Sequence, residues 1–352
     1  MPLILPSGFP AISTLAAENI PLALTDGKEA TGHGTPIRIA VLNLMPQKIE
    51  TETDIVRMLS YSALTIDLKW MKLRSHVATH VPPGHMDRYY EFADILMTQP
   101  LDGLIVTGAP VETMAYEAVD YWTELTGILD WARTHVRSTL YLCWGAMAAL
   151  YHYYAIPKHL LPTKRFGVFD TMPSSGGLPI FRGMDDVFRM PNSRHTEISS
   201  ADVEATPGID VIAHSPEAGV SIVASSHGHE FYVLGHLEYP VWTLGNEYHR
   251  DLGKRDDVDI PQHYYPNDNP ACQPQATWRS AATLFYNNWV QYYVAPAASV
   301  RMWYRSHRLR GRCRIYRGGA LRGPCGCRQL GRGHCRPVSL CPCLWCQGVR
   351  DA

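Results

Sequence analysis

From Pro36 onward, short apolar runs alternate with longer amphipathic ones. Ile37-Arg38-Ile39-Ala40-Val41-Leu42 has the near-continuous apolar character of a buried strand, and residues 49–60 have the period of a helix. Leu64, Ile66, Leu68 and Trp70 then alternate with Thr65, Asp67 and Lys69, which predicts a half-buried strand. Gly103-Leu104-Ile105-Val106-Thr107 is a third strand, stopped at Gly108. Leu125, Leu129, Ala132 and Val136 mark one face of a helix, and residues 139–142 form the strand that runs into Cys143. Strands alternating with helices predict an α/β domain, a mostly parallel sheet with helices on both faces. Ligands in such sheets bind beyond the carboxyl ends of the strands.

The second half changes character. Residues 209–213, 220–224 and 231–234 are closely spaced β-rich runs separated by turn residues, and an aromatic helix over about 278–294 closes the pattern. Residues 1–35 have Pro and Gly punctuation without a long period and predict an extended arm or a short helix. The expected organisation is an arm (1–35), one domain (36–300) and a tail (301–352).

The 352 residues suffice for a sizeable core. No apolar run reaches the roughly 20 residues of a membrane span, and no charged segment precedes a cleavable apolar stretch, so the expectation is a cytoplasmic protein without membrane contact. The near-zero net charge conceals an asymmetry: the tail holds twelve Arg and one acid, Asp351, which leaves an acidic body. An acidic body argues against nucleic acid as a partner. Cys143 and Cys272 are the body's cysteines, too few for a disulfide framework and consistent with a reducing compartment. The other seven crowd the tail, where Cys343 and Cys346 form one C-x-x-C pair without a second half, so no metal site is expected. The tail's Arg/Gly/Cys composition predicts disorder or a segment that is not native.

Leu140-Tyr141-Leu142-Cys143-Trp144-Gly145 ends a strand on a cysteine and turns at once into a small-residue helix. At such a turn the helix N-terminus presents unpaired N–H groups and partial positive charge, which favour thiolate and can hold an oxyanion. Gly145 is expected to admit a substrate closely, and Ala146, Ala148 and Ala149 to let the helix pack tightly. Leu234-Gly235-His236-Leu237-Glu238 reads as a strand ending in His-x-Glu, whose alternate side chains share a face on extended backbone. Glu238 would then orient His236 against Cys143, giving nucleophile, base and orienting acid. The plain alternatives are a buried structural cysteine and a satisfied polar histidine.

Asn43-Leu44-Met45-Pro46 with Lys48 and Glu50-Thr51-Glu52 is one motif, and Asp102 through Pro110 is a second. With Cys143-Trp144-Gly145-Ala146, Gly235-His236-x-Glu238-Tyr239 and Thr277-Trp278-Arg279-Ser280, the chain resembles the homoserine O-acyltransferases of methionine biosynthesis from about Pro36 to Val294. The resemblance implies a flavodoxin-like fold akin to the glutamine amidotransferases. It also implies a ping-pong reaction with L-homoserine and acyl-CoA as partners and no cofactor, and it leaves a homodimer open.

Carried over by motif, Cys143 is the acyl-thioester nucleophile, His236 the proton acceptor and Glu238 its partner. Lys164, Ser193 and Arg250 match substrate-binding positions, and a carboxylate suits the fork of Arg250. Lys48 and Trp144 are expected to support the oxyanion or the structure around it. In the family, Glu at the position of Glu112 goes with acetyl-CoA and Gly with succinyl-CoA. A carboxylate there fills space and repels a succinyl chain's free carboxylate, so acetyl-CoA is the expected cosubstrate. The chain departs from the family pattern at Leu237, where Pro is usual, and at Met147, where Gln is usual. Two further classes remain: a glutamine amidotransferase, which would need a synthetase to receive its ammonia, and a binding module with an inert Cys143.

Overall fold

The computed structural model describes residues 3–20, 23–24, 36–174, 177–254 and 258–295. The tail, with its Cys-x-x-Cys pair and its expected disorder, lies outside the described residues. The strands are β1 (Leu3–Leu5), β2 (Ala23–Leu24), β3 (Ile37–Leu42), β4 (Ile66–Lys72), β5 (Tyr90–Phe92) and β6 (Gly103–Val106), then β7 (Ser138–Leu142), β8 (His159–Pro173), β9 (Phe188–Glu197), β10 (Ile209–Ser215), β11 (Gly219–Ser225) and β12 (Glu230–Val233). The helices are α1 (Ala11–Ala17), α2 (Lys48–Leu59), α3 (His85–Tyr89), α4 (Ala93–Leu96), α5 (Trp122–His135), α6 (Trp144–Tyr154), α7 (Ser200–Glu204), α8 (Thr243–Leu252) and α9 (Arg279–Trp289).

The strands join in the order β2-β1-β4-β3-β6-β7-β12-β11-β10-β8-β9, with β5 also on β4. Pairing is parallel from β2 through β12 and antiparallel from β12 through β9. Burial of both faces explains why the central strands read as unbroken apolar runs. Ile37, Ile39 and Val41 of β3, Ile105 of β6 and Leu140 of β7 join one core with Ile55 and Val56 of α2 and Phe285 and Trp289 of α9. Ala40, Leu42, Leu104, Val106 and Tyr141 join the other with Leu125 and Leu129 of α5 and with α6. The architecture is a mostly parallel, flavodoxin-like sheet with helices on both faces.

The N-terminal segment expected as an arm places β1 beside β4 (Leu3↔Ile66, Ile4↔Asp67), with α1 next in the chain. Val136 leaves the helix expected to include it, because it turns extended (φ −109°, ψ 139°) to enter β7. The aromatic helix loosens after Trp289 into a wider turn over Val290–Val294. The long β8–β9 hairpin has no counterpart among the expected strands. β3, β6, β7 and β12 all run the same way, so the residues that follow them gather at one end of the sheet.

Candidate active site

Cys143 follows β7 and caps α6. Its backbone sits at φ 48°, ψ −116°, a region a side chain adopts at a cost of roughly 1–3 kcal/mol. The turn is held on both sides: Cys143 N–H donates to Val233 O of β12 (2.7 Å), and its carbonyl accepts from the amides of Ala146 and Met147. The first α6 amides, of Trp144 and Gly145, have no carbonyl of their own helix to bind. A Cβ on Gly145 would stand 2.5 Å from Thr107 O, so this glycine admits the backbone after β6, where a substrate was expected.

His236 and Glu238 follow β12 and are both buried. Their contact is short, with His236 Nδ1 2.7 Å from Glu238 Oε1. The backbone differs from expectation. β12 stops at Val233, and residues 237–238 form a turn rather than a strand, so the pair meets by turn geometry. That turn is pinned to β9, because His236 N–H donates to Pro191 O (2.8 Å). Gly235 is what lets it close, since a Cβ there would lie 2.8 Å from the same carbonyl. Leu237, at the family's proline position, points into the core and is 1% exposed.

With Nδ1 given to Glu238, Nε2 is the ring nitrogen left for the sulfur. Burial works against a charged ring, yet the charges of Cys143 and Glu238 and their hydrogen bonds outweigh it and hold His236 well above the usual imidazole range. Tyr239 stacks on the ring (centroids 4.0 Å apart, planes at 11°). Behind Glu238, burial and then the charge of Glu238 raise the Tyr286 hydroxyl of α9. Asp54 of α2, bonded by Arg57 Nη1 at 2.8 Å, is pushed up to about 7 by burial, with Glu238 a smaller contributor.

A polar cluster lies alongside. Lys164 Nζ of β8 (3.0 Å) and Ser193 Oγ of β9 (2.5 Å) converge on one carboxylate oxygen, Glu247 Oε2 of α8. Glu247 was not singled out from the sequence, although it stands one helical turn before Arg250. Its charge acts on the stacked Tyr239, which burial, then Glu247 and Glu238, push well above the usual phenol range. Arg250 is more exposed, and its Nε and Nη2 donate to Asp251 at 2.7 and 3.0 Å. Glu112, beyond β6, is fixed against β9: its Oε2 accepts from the His195 amide (2.9 Å) and the Thr196 hydroxyl (3.3 Å).

Lys48 and Trp144 have other neighbours. Lys48 Nζ donates to Asn43 O (2.6 Å), and burial lowers it to about 8, partly offset by Glu52. Trp144 is fully buried against Tyr116 and Tyr121, on the face of the sheet that α5 covers. A cavity of about 320 Å³ lined by Arg189, His263, Tyr264 and Asn267 includes none of the expected site residues.

Comparison with known proteins accords with this geometry. Residues 2–300 match the family model described as homoserine O-succinyltransferase. A homoserine O-acetyltransferase of Phocaeicola vulgatus is 47% identical over 294 residues, covering 84% of this chain and 96% of the relative. Those of Clostridium novyi and Methanomethylophilus alvi are 43% and 42% identical, each over 84% of this chain and 97% and 95% of the relative. Among solved structures, a glutamine amidotransferase of Thermotoga maritima superposes with a TM-score of 0.51 at 9% identity over 73% of this chain and 98% of that one, a likeness of fold. The chain belongs to the homoserine O-succinyltransferase family and is a homoserine O-acyltransferase of methionine biosynthesis.

Proposed function

We propose that the protein is a homoserine O-acetyltransferase, with Cys143 carrying the acetyl group as a thioester between acetyl-CoA and L-homoserine. The observation that carries this reading is the buried Cys143–His236–Glu238 set, in which Glu238 engages one ring nitrogen at 2.7 Å and the sulfur is left to the other. The thiolate attacks the thioester carbonyl, and the oxyanion faces the Trp144 and Gly145 amides. CoA thiolate then leaves, taking the proton of the His236 imidazolium. In the second half, neutral His236 accepts the homoserine hydroxyl proton as that oxygen attacks the acyl-cysteine, and Cys143 departs as thiolate.

The Glu247 cluster suits the other end of an amino acid. Glu247 receives the ammonium in competition with Lys164 and Ser193, and Arg250 turns from Asp251 to the carboxylate. Glu112, fixed by His195 and Thr196, favours the uncharged acetyl chain over a succinyl carboxylate. Both substrates are metabolites of the cytoplasm, and the chemistry needs no cofactor beyond the cosubstrate. The test is mass spectrometry of protein mixed with acetyl-CoA alone. An added acetyl group on the peptide containing Cys143 is expected, and its absence under turnover conditions rules out a two-stage mechanism. Glutaminase activity without homoserine acetylation would favour the amidotransferase reading.

A further inference from the structure

Arg194 is one of the largest fully buried side chains, 1% exposed, and among the described residues no carboxylate stands within ion-pairing distance of it. Its donors go to uncharged oxygens: Nε to Asn192 Oδ1 (3.2 Å), Nη1 to Thr196 O (2.9 Å) and Nη2 to Ala218 O. A guanidinium taken out of water without a paired anion costs several kcal/mol in effective terms, and three neutral acceptors recover only part of that. A counter-charge is missing from its immediate shell.

The course of β9 shows where that charge lies. Asn192, Arg194 and Thr196 are buried while Ser193, His195 and Glu197 are more open, so the first three face the sheet's interior. At one end of this stretch Pro191 O holds the His236 amide. At the other, Thr196 Oγ1, whose one proton goes to Glu112, lies 3.3 Å from Met147 Sδ, on the first turn of α6 and four residues past Cys143. Arg194 lies on β9 between these two anchors and shares its buried face with Thr196, whose side chain meets the first turn of the helix that Cys143 caps.

We propose that Arg194 is a positioning residue whose buried cation faces the Cys143 thiolate and stabilises it, as a second positive charge beside His236. This rests on Cys143 being the nucleophile, and it adds a group outside the Cys-His-Glu set. Electrostatics accord with the placement. Burial draws the guanidinium below the usual arginine range, and the foremost charge opposing that is Cys143, ahead of Glu197. The charged and titratable groups around the sulfur are His236, Glu238 and Tyr239 from the turn after β12, and Arg194 from β9. Those around Arg194 are Glu197 and Glu112, with Arg165 of β8 opposing. The free enzyme then holds its thiolate between two cations, and acylation, which neutralises the sulfur, leaves Arg194 without its partner. The arrangement favours returning the acyl group to an acceptor.

The test follows alkylation of Cys143 by iodoacetamide against pH in the full chain, reading the labelled peptide by mass spectrometry. Wild type is compared with Arg194→Gln, which keeps amide donors without charge, and with Arg194→Lys, which keeps the charge. The pH midpoint should rise by about one unit in Arg194→Gln, seen as roughly tenfold slower labelling on the acid side, and stay near wild type in Arg194→Lys. Equal midpoints in wild type and Arg194→Gln overturn the proposal. Should Arg194→Gln not fold, Asn192→Ala, which removes only the acceptor orienting Nε, should move the midpoint the same way by less, and no movement again overturns it. Absence of labelling on wild-type Cys143 would instead sink the nucleophile assignment on which the proposal rests.

Discussion

Replacing Glu238 by Gln keeps the size of the side chain and removes its charge. In the structure Oε1 stands 2.7 Å from His236 Nδ1, both side chains are at least nine-tenths buried, and Oε2 has no hydrogen-bond partner. Glu238 therefore acts chiefly on the ring, with the Tyr286 hydroxyl as its other neighbour. A buried charge-assisted hydrogen bond of this kind contributes about 2–4 kcal/mol when the lost charge is taken with the weaker hold of a neutral amide oxygen on an imidazolium. If that difference appears fully in the transition state, kcat falls roughly 30- to 1000-fold. The homoserine KM should change little, because Glu238 faces the ring. Glu238 also helps hold His236 above the usual imidazole range against burial, so without it the imidazolium loses its proton at lower pH. The imidazolium is the form that protonates departing CoA, so the alkaline limb of the kcat/KM profile should move to lower pH. Release of free CoA thiol, followed from pH 5 to 10, measures both. A Gln variant within threefold of wild-type kcat, with its alkaline limb in place, would refute the role given to Glu238.

Three other perturbations probe the surrounding structure. Gly145→Ala forces a Cβ to within 2.5 Å of Thr107 O, a backbone atom that cannot swing aside, and should destabilise the fold by roughly 1–3 kcal/mol, read as a lower melting temperature; unchanged melting would show the elbow to be more pliant than described. Glu112→Gly removes the carboxylate held by His195 and Thr196, so the succinyl-to-acetyl ratio of kcat/KM should rise about tenfold or more, and an unaltered ratio would separate Glu112 from acyl choice. Asp54 is raised from 3.8 to about 7, so the folded state holds its proton more tightly than the unfolded chain: the stability this contributes is complete below about pH 4 and lost as pH rises through about 7. Asp54→Asn mimics the protonated form and keeps an acceptor for Arg57. It should match wild type in stability near pH 4 and exceed it at pH 8, by at most on the order of 4 kcal/mol, whereas the same difference at both pH values would exclude the titration.

The parallel half of the sheet was legible because its strands are buried on both sides. Ile37, Ile39 and Val41 serve one core and Ala40 and Leu42 the other, so no polar residue interrupts the run except Arg38 at its exposed start. The β8–β9 hairpin was not, for the opposite reason. On β9 the inward positions are Met190, Asn192, Arg194 and Thr196, a sequence that reads as a solvated edge because polarity normally marks the outside. Those residues face inward at a place where the interior is itself charged. Glu247 escaped notice on similar grounds, since a carboxylate on a helix is by default a solvated one, and only the convergence of Lys164 from β8 and Ser193 from β9 distinguishes it.

Chemistry and backbone were also separable at the centre of the site. The pairing of His236 with Glu238 was inferred from an extended strand in which i and i+2 share a face, yet the chain makes the contact from a turn. A strand would have carried the imidazole on along the direction of β12. The turn, closed by Gly235 against Pro191, brings it back over the sheet's end to where β7 delivers Cys143. The same anchoring couples β9 to both members of the pair, through Pro191 at the histidine and Thr196 at the cysteine's helix. A shift of β9 would therefore move Arg194, His236 and Glu112 together, so on the function proposed, perturbations on this strand should change nucleophile reactivity and acyl preference jointly rather than one at a time.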